Sequence, residues 1–155
     1  MFSGIGAQYS GLSVSHDSLP AGTAALGTQL SLSVDVTNNG EYAHAHDEIV
    51  MVFARPTLRQ TTGKGSDATR AAATVTEAMS VPRQMLLGFT RVSTMPGETV
   101  RATVEVATES MRLVGPGGSF ELLHGDYELH VGGRAPGYAP SAQVATPLTR
   151  TLRVV

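Results

Sequence analysis

Between Leu30 and Val36 the chain alternates without a fault. Leu30, Leu32, Val34 and Val36 are separated by Ser31, Ser33 and Asp35. Period two sends every apolar side chain to one face of an extended strand and every polar one to the other. Asn38-Asn39-Gly40 closes this strand, because Asn and Gly accept the positive φ that tight turns need. The same rhythm returns at Val100, Ala102, Val104 and Val106, separated by Arg101, Thr103 and Glu105. It continues through Phe120 and Leu122, then Tyr127, Leu129 and Val131, and ends at Leu152 and Val154. A shorter strand with Leu12 and Val14 inward precedes them all.

Turn signals separate these strands. Met95-Pro96-Gly97-Glu98 reads as a turn in which Pro96 presets φ and Gly97 supplies the positive φ beside it. Gly115-Pro116-Gly117-Gly118 reads as a tight loop. Seventeen glycines and eight prolines, against 15% charged residues, suit a turn-rich β protein better than a helical one. The expectation is an all-β chain of about seven or eight short strands folded as an antiparallel sandwich. A single domain of 155 residues buries about 70% of its extended surface, so it needs no disulfide staple.

Two segments break the pattern. Ile49-Val50-Met51-Val52-Phe53 is apolar on both faces. One face can pack in the sandwich; the other needs a loop of this chain, a neighbouring domain or a partner. Ile49, Met51 and Phe53 form the candidate docking face. Residues 56–81 read as one long insertion, its Thr61–Ser66 part of loop composition and Asp67–Met79 a short helix at most.

The chemistry-bearing residues are sparse. No cysteine is present, which excludes a thiol nucleophile and Cys-ligated metal. His44-Ala45-His46-Asp47-Glu48 is the one dense run of metal-capable groups. His44 and His46 would point the same way on an extended chain, but two histidines make at most a weak zinc site. Asp126 and Glu128 would share one strand face, whereas a glycosidase needs its carboxyl groups about 5 to 9 Å apart across a cleft. No Gly-x-Ser-x-Gly and no phosphate loop occur. No catalytic, cofactor or metal site is therefore expected. A net charge of −2 without clustered Lys or Arg gives no nucleic-acid surface. No apolar run is long enough to span a bilayer as a helix, and residues 1–6 have no basic or apolar character of a signal peptide. Tyr127, near the start of a late strand, fits the tyrosine that sandwich domains bond back to nearby backbone.

The order of four segments resembles the C-terminal fibronectin type III-like domain of glycoside hydrolase family 3 enzymes. They are Val34-Asp35-Val36-Thr37-Asn38-Asn39-Gly40, Asp47–Phe53, Leu86-Leu87-Gly88-Phe89 with Pro96-Gly97-Glu98, and Gly125-Asp126-Tyr127 through Val131-Gly132. All-apolar Met51-Val52-Phe53 and Leu87 before Gly88 look more like the β-xylosidase branch than the β-glucosidase branch. His124 stands where the family usually has Pro. The resemblance implies a fibronectin type III-like sandwich over residues 8–155 after a linker remnant at 1–7, with Tyr127, Gly88, Phe89, Pro96 and Gly97 as structural residues. It implies no cofactor and a non-catalytic accessory role, with the catalytic domains of a parent hydrolase as partners in cis. The alternative is an independent immunoglobulin-like module that binds protein or carbohydrate. No compartment follows from the chain itself; a secreted or periplasmic parent is compatible with the resemblance.

Overall fold

The computed structural model describes residues 6–39, 44–57, 81–115, 117–137 and 146–155. Most of the expected insertion and its possible helix lie outside the described residues. Among these residues, seven longer strands and three two-residue strands form two packed sheets and a small hairpin. Among the described residues, the one helical element is a single 3-10 turn at Thr108–Met111.

Three strands build the first sheet: β1 (Ala7–Val14), β3 (Gln29–Asn38) and β6 (Thr99–Ala107), in the order β1-β3-β6. Its register follows the sequence pattern. Leu30 faces Val106, Leu32 faces Val104, and Val34 faces Ala102. Both members of each pair are buried, and the polar residues between them are tied across the opposite face, as in Ser33–Thr103 at 2.8 Å. β1 begins at Ala7, the last residue of the expected linker, and Ala7 is buried in the core.

The second sheet runs β2-β10-β9-β4-β5, with β2 at Ser18–Leu19, β4 at His46–Thr57, β5 at Met85–Thr94, β9 at Gly125–Gly132 and β10 at Leu148–Val154. The chain passes from one sheet to the other between β1 and β2, β2 and β3, β3 and β4, β5 and β6, and β6 and β9. That traffic makes a sandwich rather than a meander, antiparallel as expected except at one edge, where the two-residue β2 runs parallel to β10. Val50, Val52, Ala54, Tyr127, Leu129 and Leu152 face the first sheet across one continuous core.

Gly97 makes the β5–β6 corner. Gly97 has φ of 77°, and the Glu98 amide donates to the Met95 carbonyl at 2.9 Å, so Met95–Glu98 is a type II turn with Pro96 in its preferred place. The end of β3 is fastened to the same turn: Asn38 N–H donates to Glu98 O and Gly97 N–H to Asn38 O. Gly88 lies against β6, where an added Cβ would stand 3.1 Å from Val104 Cγ1. The strand can approach that closely because there is no side chain to accommodate.

Phe120 departs from the expected alternation. The strand around it is only β8 (Phe120–Glu121), paired with β7 (Leu113–Val114) in a separate hairpin. Phe120 turns outward, its ring 4.9 Å from the Arg112 guanidinium, while Leu122 and Leu123 are both buried. The hairpin leaves the sheet, so period two no longer applies across it.

Candidate functional site

β4 is flanked by β9 and β5, so both of its edges are paired. Its even-numbered residues Val50, Val52 and Ala54 go to the core, leaving Ile49, Met51 and Phe53 on the outer face. Ile49 is 51% exposed; Met51 and Phe53 are half-buried. β5 adds to this face in an irregular way. Val52 pairs with Gly88, but Phe53 pairs with Leu86, so Leu87 is an extra residue opposite the β4 backbone. Such a bulge resets the pleat. Leu87 turns into the core, while Leu86 and Phe89 both face solvent, at 52% and 67% exposed. Phe89, expected among the structural residues, thus belongs to the surface. It sits opposite Met51. Sequence periodicity could not show this, since Leu86 and Phe89 are three apart and share a face only because of the bulge.

A histidine lies inside this apolar strip. His130 on β9 stands between Phe53 on one side and Thr149 on the other. It points outward, since Leu129 and Val131 point in, yet it is only 7% exposed. Its Nε2 is 3.5 Å from Glu128 Oε1, too long for a sound hydrogen bond, and has no hydrogen-bond partner. Burial holds its imidazole below the ordinary range; the Arg55 charge acts in the same direction and Glu128 against it. Ion pairs rim the strip. Arg91 and Ser93 donate to Asp47 at one end, and Arg153 lies 3.4 Å from Asp126 at the other. The Ser93 and Arg91 hydrogen bonds hold the Asp47 carboxyl below the usual carboxylate range.

The expected histidine run is divided by the fold. His46 Nε2 is 2.9 Å from Glu48 Oε2, and the other oxygen of that carboxylate accepts the Tyr9 hydroxyl from β1. This bond ties the two sheets at the open end of the sandwich. Asp47 points to the opposite face, toward Arg91. His44 precedes the strand, and its carbonyl accepts a hydrogen bond from Asn38 Nδ2 at 3.3 Å. Among the described residues, no three metal-capable side chains converge. Asp126 and Glu128 stand side by side on one strand face with Arg153 and His130 as neighbours, and no cleft separates them.

Tyr127 is fully buried, and its hydroxyl donates to the Leu123 carbonyl at 3.1 Å. Burial pushes its pKa up to about 12. The Tyr9 phenol is raised too, first by burial and then by its bond to Glu48. An unfolded tyrosine loses its proton near pH 10. Above that pH the folded state binds more protons than the unfolded state, so stability falls as pH rises. The Tyr127 contribution, roughly 2 to 3 kcal/mol, should disappear between about pH 10 and 12. Denaturant melts across that window should show the loss, and Tyr127→Phe should flatten the slope by about one proton's worth. An unchanged slope would place the alkaline sensitivity elsewhere.

Residues 72–135 match the family model of the fibronectin type III-like domain. The chain has a fibronectin type III-like fold. Solved structures share its fold along nearly the whole chain. A β-glucosidase from Erythrobacter marinus superposes with a TM-score of 0.65 at 16% identity, covering 96% of this chain and 15% of that one. A β-D-glucoside glucohydrolase from Trichoderma reesei gives 0.65 at 19% identity, covering 96% and 19%. A β-glucosidase from Listeria innocua gives 0.59 at 19% identity, covering 96% and 16%. At such identities the likeness speaks for the fold. The chain spans less than a fifth of the length of these neighbours. No curated protein sequence matches it. Among the described residues, no helix of this fibronectin type III-like chain is long and apolar enough to cross a membrane.

Proposed function

We infer that the chain is a non-catalytic accessory module of a glycoside hydrolase of family 3, packed in cis against the catalytic domains and stiffening them. The observation that carries this reading is the outer face of the β4–β5 pair. Ile49, Leu86 and Phe89 are all more than half exposed and lie together. Soluble domains seldom leave such a strip open without a use for it. The solved neighbours support the same role, since in each of them this fold is a minor part of a glucoside-cleaving chain. Those neighbours are β-glucosidases. A xylosidase-like parent is favoured only by Met51, Val52, Phe53 and Leu87.

The non-catalytic reading follows from the carboxylates. Asp126 and Glu128 lie side by side on one face of one strand and do not face each other across a cleft, as the two carboxyl groups of a glycosidase must. The isolated chain should release no nitrophenol from aryl β-glucosides or β-xylosides, while the complete polypeptide should, and deleting this module should lower the complete protein's melting temperature. Turnover by the isolated chain that vanishes in Asp126→Asn or Glu128→Gln would overturn the reading.

A second reading, an independent binding module, is favoured by Phe120. It is an exposed aromatic at a loop end, 56% exposed and beside Arg112. Loss of a ligand's binding in Phe120→Ala, with hydrolysis by the complete polypeptide unaffected, would favour it.

A further inference from the structure

The accessory-module reading leaves open which surface meets the rest of the polypeptide and what recognises it. His130 bears on both questions. A buried polar atom without a partner costs stability unless something completes it. His130 Nε2 is such an atom, nine-tenths covered yet on the outward side of the sheet. Its lateral neighbour Phe53 begins the apolar strip that continues through Leu86, Met51 and Phe89. An apolar centre with one polar group and a charged rim is the anatomy of a protein–protein interface. The rim here closes on itself: Asp47 is taken by Arg91 and Asp126 by Arg153, and beside His130 the charges of Arg55 and Glu128 stand opposite one another on β4 and β9. No net field is left over to select a strongly charged partner, and a nucleic acid would need one.

We propose that the outer face of the five-stranded sheet, centred on Met51, Phe53, Phe89 and His130, docks a neighbouring domain of the same polypeptide through an apolar patch carrying one hydrogen-bonding group for His130 Nε2. This rests on the accessory-module reading. The occupant is a domain in cis, because in the neighbours of known structure more than four-fifths of the chain lies outside this fold. The apolar residues supply affinity, and His130 supplies register. A partner that slid by one residue would leave its own polar group and His130 both unpaired.

The expected effect of replacing His130 therefore changes sign with context. In the 155-residue chain, His130→Leu removes an unsatisfied polar atom and should raise the melting temperature by about 2 to 4 °C. In the complete natural polypeptide the same substitution removes one half of an interface hydrogen bond, so it should lower the melting temperature and speed limited proteolysis at the module's junction. Phe89→Thr should leave the 155-residue chain within about 2 °C of the parent and loosen the module in the complete polypeptide. An effect of the same sign in both contexts would overturn the proposal. So would a concentration-dependent dimer of the isolated chain, seen by sedimentation equilibrium and abolished by Phe89→Thr, because the face would then be serving a second copy. The accessory-module reading is judged separately, by whether the complete polypeptide cleaves aryl glycosides; its failure there would leave the sign reversal to be seen or not on its own.

Discussion

Replacing Tyr127 by alanine should cost about 3 to 5 kcal/mol, a cavity-forming loss at the largest fully buried side chain among the described residues. The ring fills space between the sheets beneath Leu152, its cross-strand partner on β10. The hydroxyl also satisfies the Leu123 carbonyl, four residues upstream, and so fixes how the chain enters β9. Removing only that hydroxyl in Tyr127→Phe should cost about 1 to 2 kcal/mol, since a buried carbonyl loses its partner. Glu128→Ala, one residue on and half-buried on the outer face, should stay within about 0.5 kcal/mol. A typical domain holds only about 5 to 15 kcal/mol, so the alanine variant would spend a large part of its stability. Denaturant melts of the three variants give the ranking. Glu128→Ala proving the most damaging would mean that the register of β9 is wrong.

The second large effect is expected at Val52. This residue lies at the middle of β4, fully buried, with paired strands on both sides. Val52→Asp would place a carboxylate in the core with no cation within the inward-facing set. Leaving a charge there unpaired costs roughly 3 to 5 kcal/mol or more, on top of lost packing. The variant should lack cooperative melting and its β circular dichroism at neutral pH. Phe89→Asp makes a comparable change in polarity one strand away, yet on the outer face, and should cost no more than about 1 kcal/mol. The contrast isolates which side of the sheet is core. Equal tolerance of both substitutions would mean that the sandwich interior is misassigned.

Much of the sandwich was legible in the chain because a half-buried strand writes its burial with period two. Leu30 to Val36, Val100 to Val106 and Tyr127 to Val131 all carried that mark, and all their apolar members are buried except Val100, which is half-buried at the strand end. The β5–β6 turn was legible because Pro96 and Gly97 satisfy a backbone need that few other residues meet. Phe120 was misread for a related reason: two residues of strand in a separate hairpin inherit no alternation from the sheet.

The candidate docking face was legible only in part. Ile49, Met51 and Phe53 announced an apolar outer side, since a strand apolar at every position must have two covered faces. Local sequence thus determined which segments extend, where they turn and which side of most strands is apolar, because those properties depend on neighbours along the chain. Tertiary structure decided the rest. The bulge at Leu87 that turns Leu86 and Phe89 outward depends on the register of β4 against β5. The Tyr9–Glu48 bond joins groups 39 residues apart, on different sheets. The burial of His130 depends on Phe53 and Thr149 arriving on either side of it. Contacts of that kind are set by strand pairing across long chain separations, and no local pattern of residues encodes them.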